Sequence, residues 1–167
     1  MDSFVSSLFT FYSISFDSCA VVGNLNLASN QLNGVIPPGL GLLTDVITIS
    51  LANNQFEGSI PTLLGRLDDI TDLTLSNNTF TGTIPTELGG CFRLNGLQLQ
   101  KNTLTGDIPP QLGKLKSLIN LRLESNQFAD TGMPPEVCNL REYEELSVLS
   151  VDELVPCECC TELPSIF

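Results

Sequence analysis

The side chains best suited to chemistry in this sequence are four cysteines near its C-terminal end. Cys138, Cys157, Cys159 and Cys160 are four of the six cysteines in the 167 residues. They could form disulfides, which persist in oxidising compartments, or a zinc site with four thiolates. The spacing lacks a C-x-x-C pair on each side, which favours disulfides. We expect one bond from Cys138 back to the other three, with its partner left open because four cysteines allow three pairings.

Residues for the common kinds of catalysis are missing from the sequence. The chain has no histidine, which excludes Ser-His-Asp and Cys-His arrangements and imidazole metal ligands. Asp68, Asp69 and Asp72 are close in sequence, but we expect them to point in different directions as solvated residues. The sequence therefore predicts no catalytic residues, no metal site, no cofactor and no enzyme activity.

The charge balance limits the class of partner. The chain carries 19 acidic and 7 basic residues, for a net charge of −12. Nucleic-acid binding needs a basic stripe to neutralise phosphates, and there is none. No uninterrupted apolar run reaches the roughly 20 residues of a membrane span. A neutral or basic partner is easier to accommodate than an acidic one, but acidity that serves only solubility is the favoured explanation of the charge.

The element that must position any functional side chain is a repeat of 24 residues. Equivalent aliphatic residues recur at this interval: Leu25, Ile49, Leu73, Leu97 and Leu121. A repeat of this length indicates a solenoid, in which each unit buries its apolar edge against its neighbours. Each of these residues lies in a short apolar–polar–apolar segment, which has the period of a half-buried strand.

Other features recur after each strand. An asparagine can bond backbone groups left unpaired by a turn, so that five amides stack as a ladder: Asn30, Asn54, Asn78, Asn102 and Asn126. An apolar residue two positions later forms a second stack: Leu32, Phe56, Phe80, Leu104 and Phe128. A glycine and an Ile-Pro pair then turn the chain outward. The LGxL segment that follows predicts a short helical or 3-10 turn on the convex side.

The pattern LxxLxLxxNxLxGxIP, seen from Val21 to Val151, resembles the plant-type leucine-rich repeat family. That family includes receptor-kinase ectodomains, polygalacturonase-inhibiting proteins and algal proteins. The resemblance implies an α/β solenoid, an arc with a parallel sheet on its concave face. We expect five regular repeats, a degenerate sixth strand and a C-terminal cap that contains the cysteines. It also implies that ligands bind on the concave face.

The outward residues of the predicted strands are the candidate binding site. They are rich in hydroxyl and amide groups, with opposite charges near the C-terminal end. The site comprises Thr48, Ser50, Asp72, Thr74, Ser76, Gln98, Gln100, Asn120, Arg122 and Glu124. The face has a single arginine and no aromatic anchor, whereas binding hot spots are rich in both. A solvated sheet without a tight ligand is therefore the alternative.

The two ends depart from the repeat. We divide the chain into an apolar segment at 1–20, repeats at 21–137 and a cap at 138–167. The first segment is read as a cap remnant, as a cleaved signal or as the start of a truncated chain. Repeat five is one residue longer than the others, so the sixth strand is expected near Leu146 to Val148.

Two single residues complete the predictions. Cys91 stands where leucine stands in the neighbouring units, so it is interpreted as a buried thiol that acts as a small hydrophobe. Asn77 heads the sequon Asn-Asn-Thr and is the candidate for glycosylation beside the concave sheet.

The leading functional hypothesis is a non-catalytic, secreted or cell-surface module that binds a protein, peptide or glycan on its concave sheet. It follows from the family resemblance rather than from the residues alone. The alternative is a structural or assembly module with no tight ligand, which associates through its N-terminal end. Neither hypothesis involves nucleic acid or a membrane span.

Overall fold

The computed structural model describes residues 23–143, 145–153, 155–157 and 159–160. The predicted N-terminal segment at 1–20 lies outside these residues. Six short strands form one parallel sheet in the order β1-β3-β5-β7-β9-β11. Their bounds are Asn24–Asn26, Thr48–Ser50, Asp72–Thr74, Gly96–Gln98, Asn120–Arg122 and Val148–Ser150. The α/β solenoid predicted from the repeat is confirmed.

The sheet aligns equivalent residues of successive units. Leu25 pairs with Ile49, Ile49 with Leu73, Leu73 with Leu97, and Leu97 with Leu121. The last four are at most 1% exposed and lie in one continuous core. The 24-residue interval sets this register, because each strand must bury its aliphatic residue beside the one before it.

A second row of short parallel strands follows the asparagine in each unit, and the sequence analysis did not predict it. These strands are β2 (Asn33–Val35), β4 (Gln55–Ser59), β6 (Thr79–Thr81), β8 (Thr105–Gly106) and β10 (Gln127–Phe128). Strands β2, β4 and β6 form one sheet, and β8 pairs with β10. Phe56 and Phe80 stack inside with ring centroids 6.3 Å apart. Gly58 in this row has φ of 74°, a conformation that disfavours any side chain.

The LGxL segments form 3-10 turns on the outer side, as predicted. They span Pro38–Leu42, Thr62–Arg66, Thr86–Gly90 and Pro110–Lys114. A Cβ on Gly65 would lie 2.4 Å from the carbonyl oxygen of Glu87 in the next turn. Glycine at this position therefore lets successive units stack closely.

The last unit corrects the predicted position of the sixth strand. Strand β11 pairs Leu149 with Leu121, a step of 28 residues rather than the predicted 25. A nine-residue helix, α1 (Pro135–Tyr143), replaces the five-residue 3-10 turn and lengthens the unit. Leu146, which the prediction placed in the strand, is buried three residues before Leu149, as Leu118 is before Leu121. The proposed domain boundary at 137 and 138 falls within α1.

Two disulfides hold the C-terminal end. Cys138 in α1 is bonded to Cys159, and Cys157 is bonded to Cys160. The first bond confirms the expected link from Cys138 to one of the three later cysteines. The second bond was not predicted from the sequence. All four sulfurs are paired, so the alternative of a zinc site built from their thiolates is wrong. Arg141 donates from Nη1 to the carbonyl oxygen of Cys159 at 2.7 Å, which adds a polar contact between helix and tail.

Candidate functional site

The structure brings the ten predicted binding residues onto the inner face of the six-stranded sheet. They lie one residue before, one after or three after the aligned aliphatic residues. Asp72 is exposed, and most of the others are half-buried. Ser76 and Gln100 are only 9% exposed, because they lie deeper in the concave surface. The face is thus polar but partly desolvated.

The charged residues at the C-terminal side of this face neutralise one another. Arg122 donates to Oε1 of Glu124 from Nε at 3.1 Å and from Nη2 at 2.8 Å. The other carboxylate oxygen of Glu124 accepts a hydrogen bond from the Ser150 hydroxyl. The Glu124 side chain is 13% exposed, so the pair is partly withdrawn from solvent. Arg122 is the one basic residue at the inner-face positions just defined.

Two amide oxygens near this pair lack hydrogen-bond donors. Oδ1 of Asn120 and Oε1 of Gln100 are buried, and neither has a partner within the part of the chain that the structure describes. Buried polar groups are normally paired, and an unpaired one costs about 1–3 kcal/mol. These two acceptors would therefore gain from a donor.

The five ladder asparagines lie at one edge of the inner sheet. Asn78 is a representative case: its Nδ2 donates to the carbonyl oxygens of Leu51 and Leu75 at 3.0 and 3.1 Å. Its Oδ1 accepts from the backbone N–H of Phe56 at 3.0 Å. Each amide after the first thus ties its own unit to the preceding one. Among the residues that the structure describes, Asn30 bonds only within its own unit, to the carbonyl oxygens of Leu27 and Ala28.

Asn77, the glycosylation candidate, is exposed beside this ladder and has a left-handed backbone conformation with φ of 54°. Its Nδ2, the atom that a glycan would modify, donates to Oδ1 of Asn53 at 2.8 Å. Modification would have to replace that hydrogen bond, and glycosylation stays a prediction.

Cys91 is a free thiol that is 1% exposed in the core, as expected for a cysteine that replaces leucine. Burial, and to a smaller extent the negative charge of Asp68, raise the pKa of this thiol from 9.0 to about 11. It stays protonated at neutral pH, and a protonated thiol is a poor nucleophile.

Sequence reasoning missed two residues that complete the sheet, Ser150 and Asp152. Ser150 binds Glu124, and the Asp152 carboxylate accepts the backbone N–H groups of Ser125 and Asn126. Both positions follow from the register of β11, which the sequence analysis had placed three residues too early. The correct signal was the spacing between Leu146 and Leu149, which matches that between Leu118 and Leu121.

Across the described residues, no group of three cysteine or acidic side chains is arranged to hold a metal ion. Over the same part of the chain, no helix has the length and apolar character needed to cross a bilayer.

This geometry defines a leucine-rich repeat solenoid, and comparison with known proteins agrees. The family model described as Leucine Rich Repeat matches residues 23–43, 45–67 and 69–91. No curated protein is detectably similar in sequence. Solved structures are the informative neighbours.

Three of these structures are of proteins from the plant Arabidopsis. The ectodomain of the receptor kinase GASSHO1/SCHENGEN3 is 38% identical over 78% of this chain and 15% of its own, with a TM-score of 0.74. HAESA is 32% identical over 77% of this chain and 22% of its own, with a TM-score of 0.69. The BIR3–SERK2 complex contains a chain that is 33% identical over 80% of this chain and 72% of its own, with a TM-score of 0.63.

The chain belongs to the plant-type leucine-rich repeat family. It spans only 15–22% of the length of the larger receptor ectodomains that it matches.

Proposed function

We propose that this chain is a non-catalytic recognition module that binds a peptide or a protein segment on its concave sheet. The observation that carries the proposal is the continuous inner face, where six aligned strands present polar side chains in register. Such a face can contact an extended chain at several adjacent points. About 4.8 Å per strand gives a width near 25 Å, which suits a short segment or a site shared with another chain.

The neighbours support a peptide or protein ligand. The HAESA structure is a complex with the peptide hormone IDA and the co-receptor SERK1. The GASSHO1/SCHENGEN3 ectodomain is in complex with CASPARIAN STRIP INTEGRITY FACTOR 2. No neighbour named here is described with a glycan, so a glycan ligand stays a prediction from the sequence.

An extracellular or cell-surface location fits this function. The two disulfides at the C-terminal end require an oxidising compartment to persist. The GASSHO1/SCHENGEN3 neighbour is the ectodomain of a membrane receptor kinase. Whether this chain is secreted is a further prediction, tested by its recovery from culture medium after expression with its own N-terminus.

The test is selection of peptides from a library of random 12-residue sequences by the immobilised, oxidised chain. Replacing Gln98, Arg122 and Glu124 with alanine is expected to abolish most of the capture without changing the melting temperature. The matched control replaces Gln55, Glu57 and Arg66, which are exposed on the other side of the solenoid, and should keep capture intact. Equal capture by both triple variants would reject the concave face as the binding site.

A structural or assembly function is the second candidate, and the N-terminal edge favours it. Among the described residues, strand β1 is the first strand of the inner sheet, and Leu25, Leu27 and Leu32 are only partly buried. Their counterparts Leu73, Leu75 and Phe80 are at most 1% exposed. Solution mass over a dilution series tests this candidate. Dimers that vanish when residues 1–16 are deleted would support it, and a monomer at all concentrations would reject it.

A further inference from the structure

The inner face lacks a side chain at Gly96, in the centre of the sheet. The residues one before the aligned aliphatic position form a row across the six strands: Asn24, Thr48, Asp72, Gly96, Asn120 and Val148. Gly96 is the one member of this row without a side chain. The carboxylate of Asp72 from the neighbouring strand occupies the space above it, so that Gly96 itself is buried.

The carboxylate of Asp72 is held above Gly96. A Cβ on Gly96 would lie 2.6 Å from Oδ1 of Asp72. Oδ2 of the same carboxylate accepts a hydrogen bond from the Thr71 hydroxyl at 2.8 Å. One oxygen is thus anchored, while the other lies over Gly96 and has neither a hydrogen-bond donor nor a cation among the described residues. Asp72 is exposed, so a ligand can reach it.

Two unpaired acceptors lie in the two units after that of Asp72. The unpaired Oδ1 of Asn120 belongs to the same row. The unpaired Oε1 of Gln100 belongs to the same unit as Gly96, on a side chain that is 9% exposed. A ligand donor that reached either oxygen would remove the cost of an unsatisfied buried group.

The one cation of the inner face does not oppose a positively charged ligand. Both donor contacts of Arg122 go to Glu124, at 3.1 and 2.8 Å, so that pair carries no net charge. Asp72 then leaves the middle of the face negative. The net charge of −12 on the whole chain adds long-range attraction for cations.

We propose that the exposed Asp72 carboxylate above Gly96 binds a lysine or arginine side chain of the peptide ligand. The ammonium or guanidinium group pairs with this carboxylate, in the same row of the inner face as Asn120. The inference rests on the proposed function, because it names the class of peptide that the same face selects. It predicts a basic peptide and excludes one held mainly by a carboxylate.

The experiment uses the random library with both peptide termini blocked, at low ionic strength. Selected peptides are expected to be enriched in lysine or arginine at one position. Asp72→Asn should remove the enrichment and weaken the binding of a selected peptide about tenfold, the effect of losing one charge-assisted hydrogen bond. Glu57→Gln, which makes the same charge change on an exposed residue of β4, should change the dissociation constant less than twofold.

Two further measurements separate a specific site from general attraction. Replacing the selected lysine of the peptide with norleucine should weaken its binding to the wild-type chain about tenfold. The same replacement should hardly change its binding to the Asp72→Asn variant, because two residues in contact show this coupling. Gly96→Ala should weaken binding by a similar factor with an unchanged melting temperature.

The outcomes distinguish this inference from the function on which it rests. Enrichment of acidic residues would overturn the basic-peptide inference while leaving concave recognition in place. Equal weakening by Asp72→Asn and Glu57→Gln would also overturn it, since only net charge would matter. Failure to select any peptide would count against the proposed function itself.

Discussion

The backbone N–H groups that follow each strand find different hydrogen-bond acceptors in the interior units and at the C-terminal end. Between interior units, the N–H groups of Lys101 and Asn102 donate to the carbonyl oxygens of Glu124 and Ser125 at 2.9 and 3.1 Å. At the end, the corresponding N–H groups of Ser125 and Asn126 donate to the Asp152 carboxylate. A side chain thus replaces the next unit's backbone.

The difference shows why the interior is repetitive and the end is not. An interior unit meets a copy of itself, so one set of residue types serves every junction. The last unit meets no copy, and a helix, a carboxylate and two disulfides close it instead. The interior should therefore be sensitive to loss of any repeated contact, while the end should depend on a few unique residues.

The largest expected effect is at the interior ladder. Asn78→Ala removes four hydrogen bonds, among them the one that the backbone N–H of Phe56 donates to Oδ1 of Asn78. We expect a loss of about 4 kcal/mol in the free energy of unfolding, measured by urea denaturation. Asn30→Ala, at the exposed first position, is the matched control and should cost about 1 kcal/mol or less. Similar costs at both positions would contradict the idea that the amides act between units.

Removing the disulfides should weaken the end to different extents. The Cys138–Cys159 bond spans 21 residues and the Cys157–Cys160 bond spans 3. Because a longer loop loses more entropy on closure in the unfolded chain, double replacement by serine should cost about 3 kcal/mol for the first. For the second it should cost about 2 kcal/mol. Urea denaturation of the two variants tests the order, and a larger loss from the short loop would contradict it.

A smaller effect is expected from the carboxylate that closes the sheet. Asp152→Asn leaves one acceptor oxygen for the two N–H groups of Ser125 and Asn126, and should cost about 1–2 kcal/mol. The rate of hydrogen exchange at these two amides should be higher in the Asp152→Asn variant. Glu153→Gln changes an exposed neighbour and serves as the control. Unchanged exchange in Asp152→Asn would show that the capping role assigned here is wrong.

The smallest effect concerns the interior thiol and appears only at high pH. The pKa of Cys91 is about 11 in the folded chain against its ordinary 9.0, so between these values the folded state holds a proton that the unfolded state has lost. Stability should therefore be fully present below pH 9 and should fall as the pH rises from about 9 to about 11. Cys91→Ala should show a shallower decline across the same window in thermal melts. An identical pH dependence in both proteins would contradict the prediction.

The core of the inner sheet was predictable from the sequence because the signal is repeated. Leu73 and Leu97 must be neighbours if each unit buries the same edge, and no other register satisfies all units together. The 3-10 turns and the asparagine amides follow from the same argument. The second row of strands was missed, since segments such as Asn33–Val35 are short and contain a glycine, which weakens a strand pattern.

The sequence predicted which residues form the face of the candidate site, but it did not predict the contacts among their side chains. Periodicity predicted which residues lie on the concave face of the sheet, including Asp72, Gln98 and Arg122. It could not show that Arg122 is held by Glu124, or that the Asp72 carboxylate leans over Gly96. Those contacts depend on rotamers and on side chains from neighbouring units, which a single unit's pattern does not contain.

The sequence by itself determined the stack, because a fixed interval between aliphatic residues leaves one arrangement that buries all of them. Only the tertiary structure decided the end of the stack, where Leu149 rather than Leu146 joins the sheet. It also decided which cysteines pair and which polar groups neutralise one another. The physical reason is that a repeat specifies contacts between equal units, whereas a terminus and a binding face are shaped by residues that occur once.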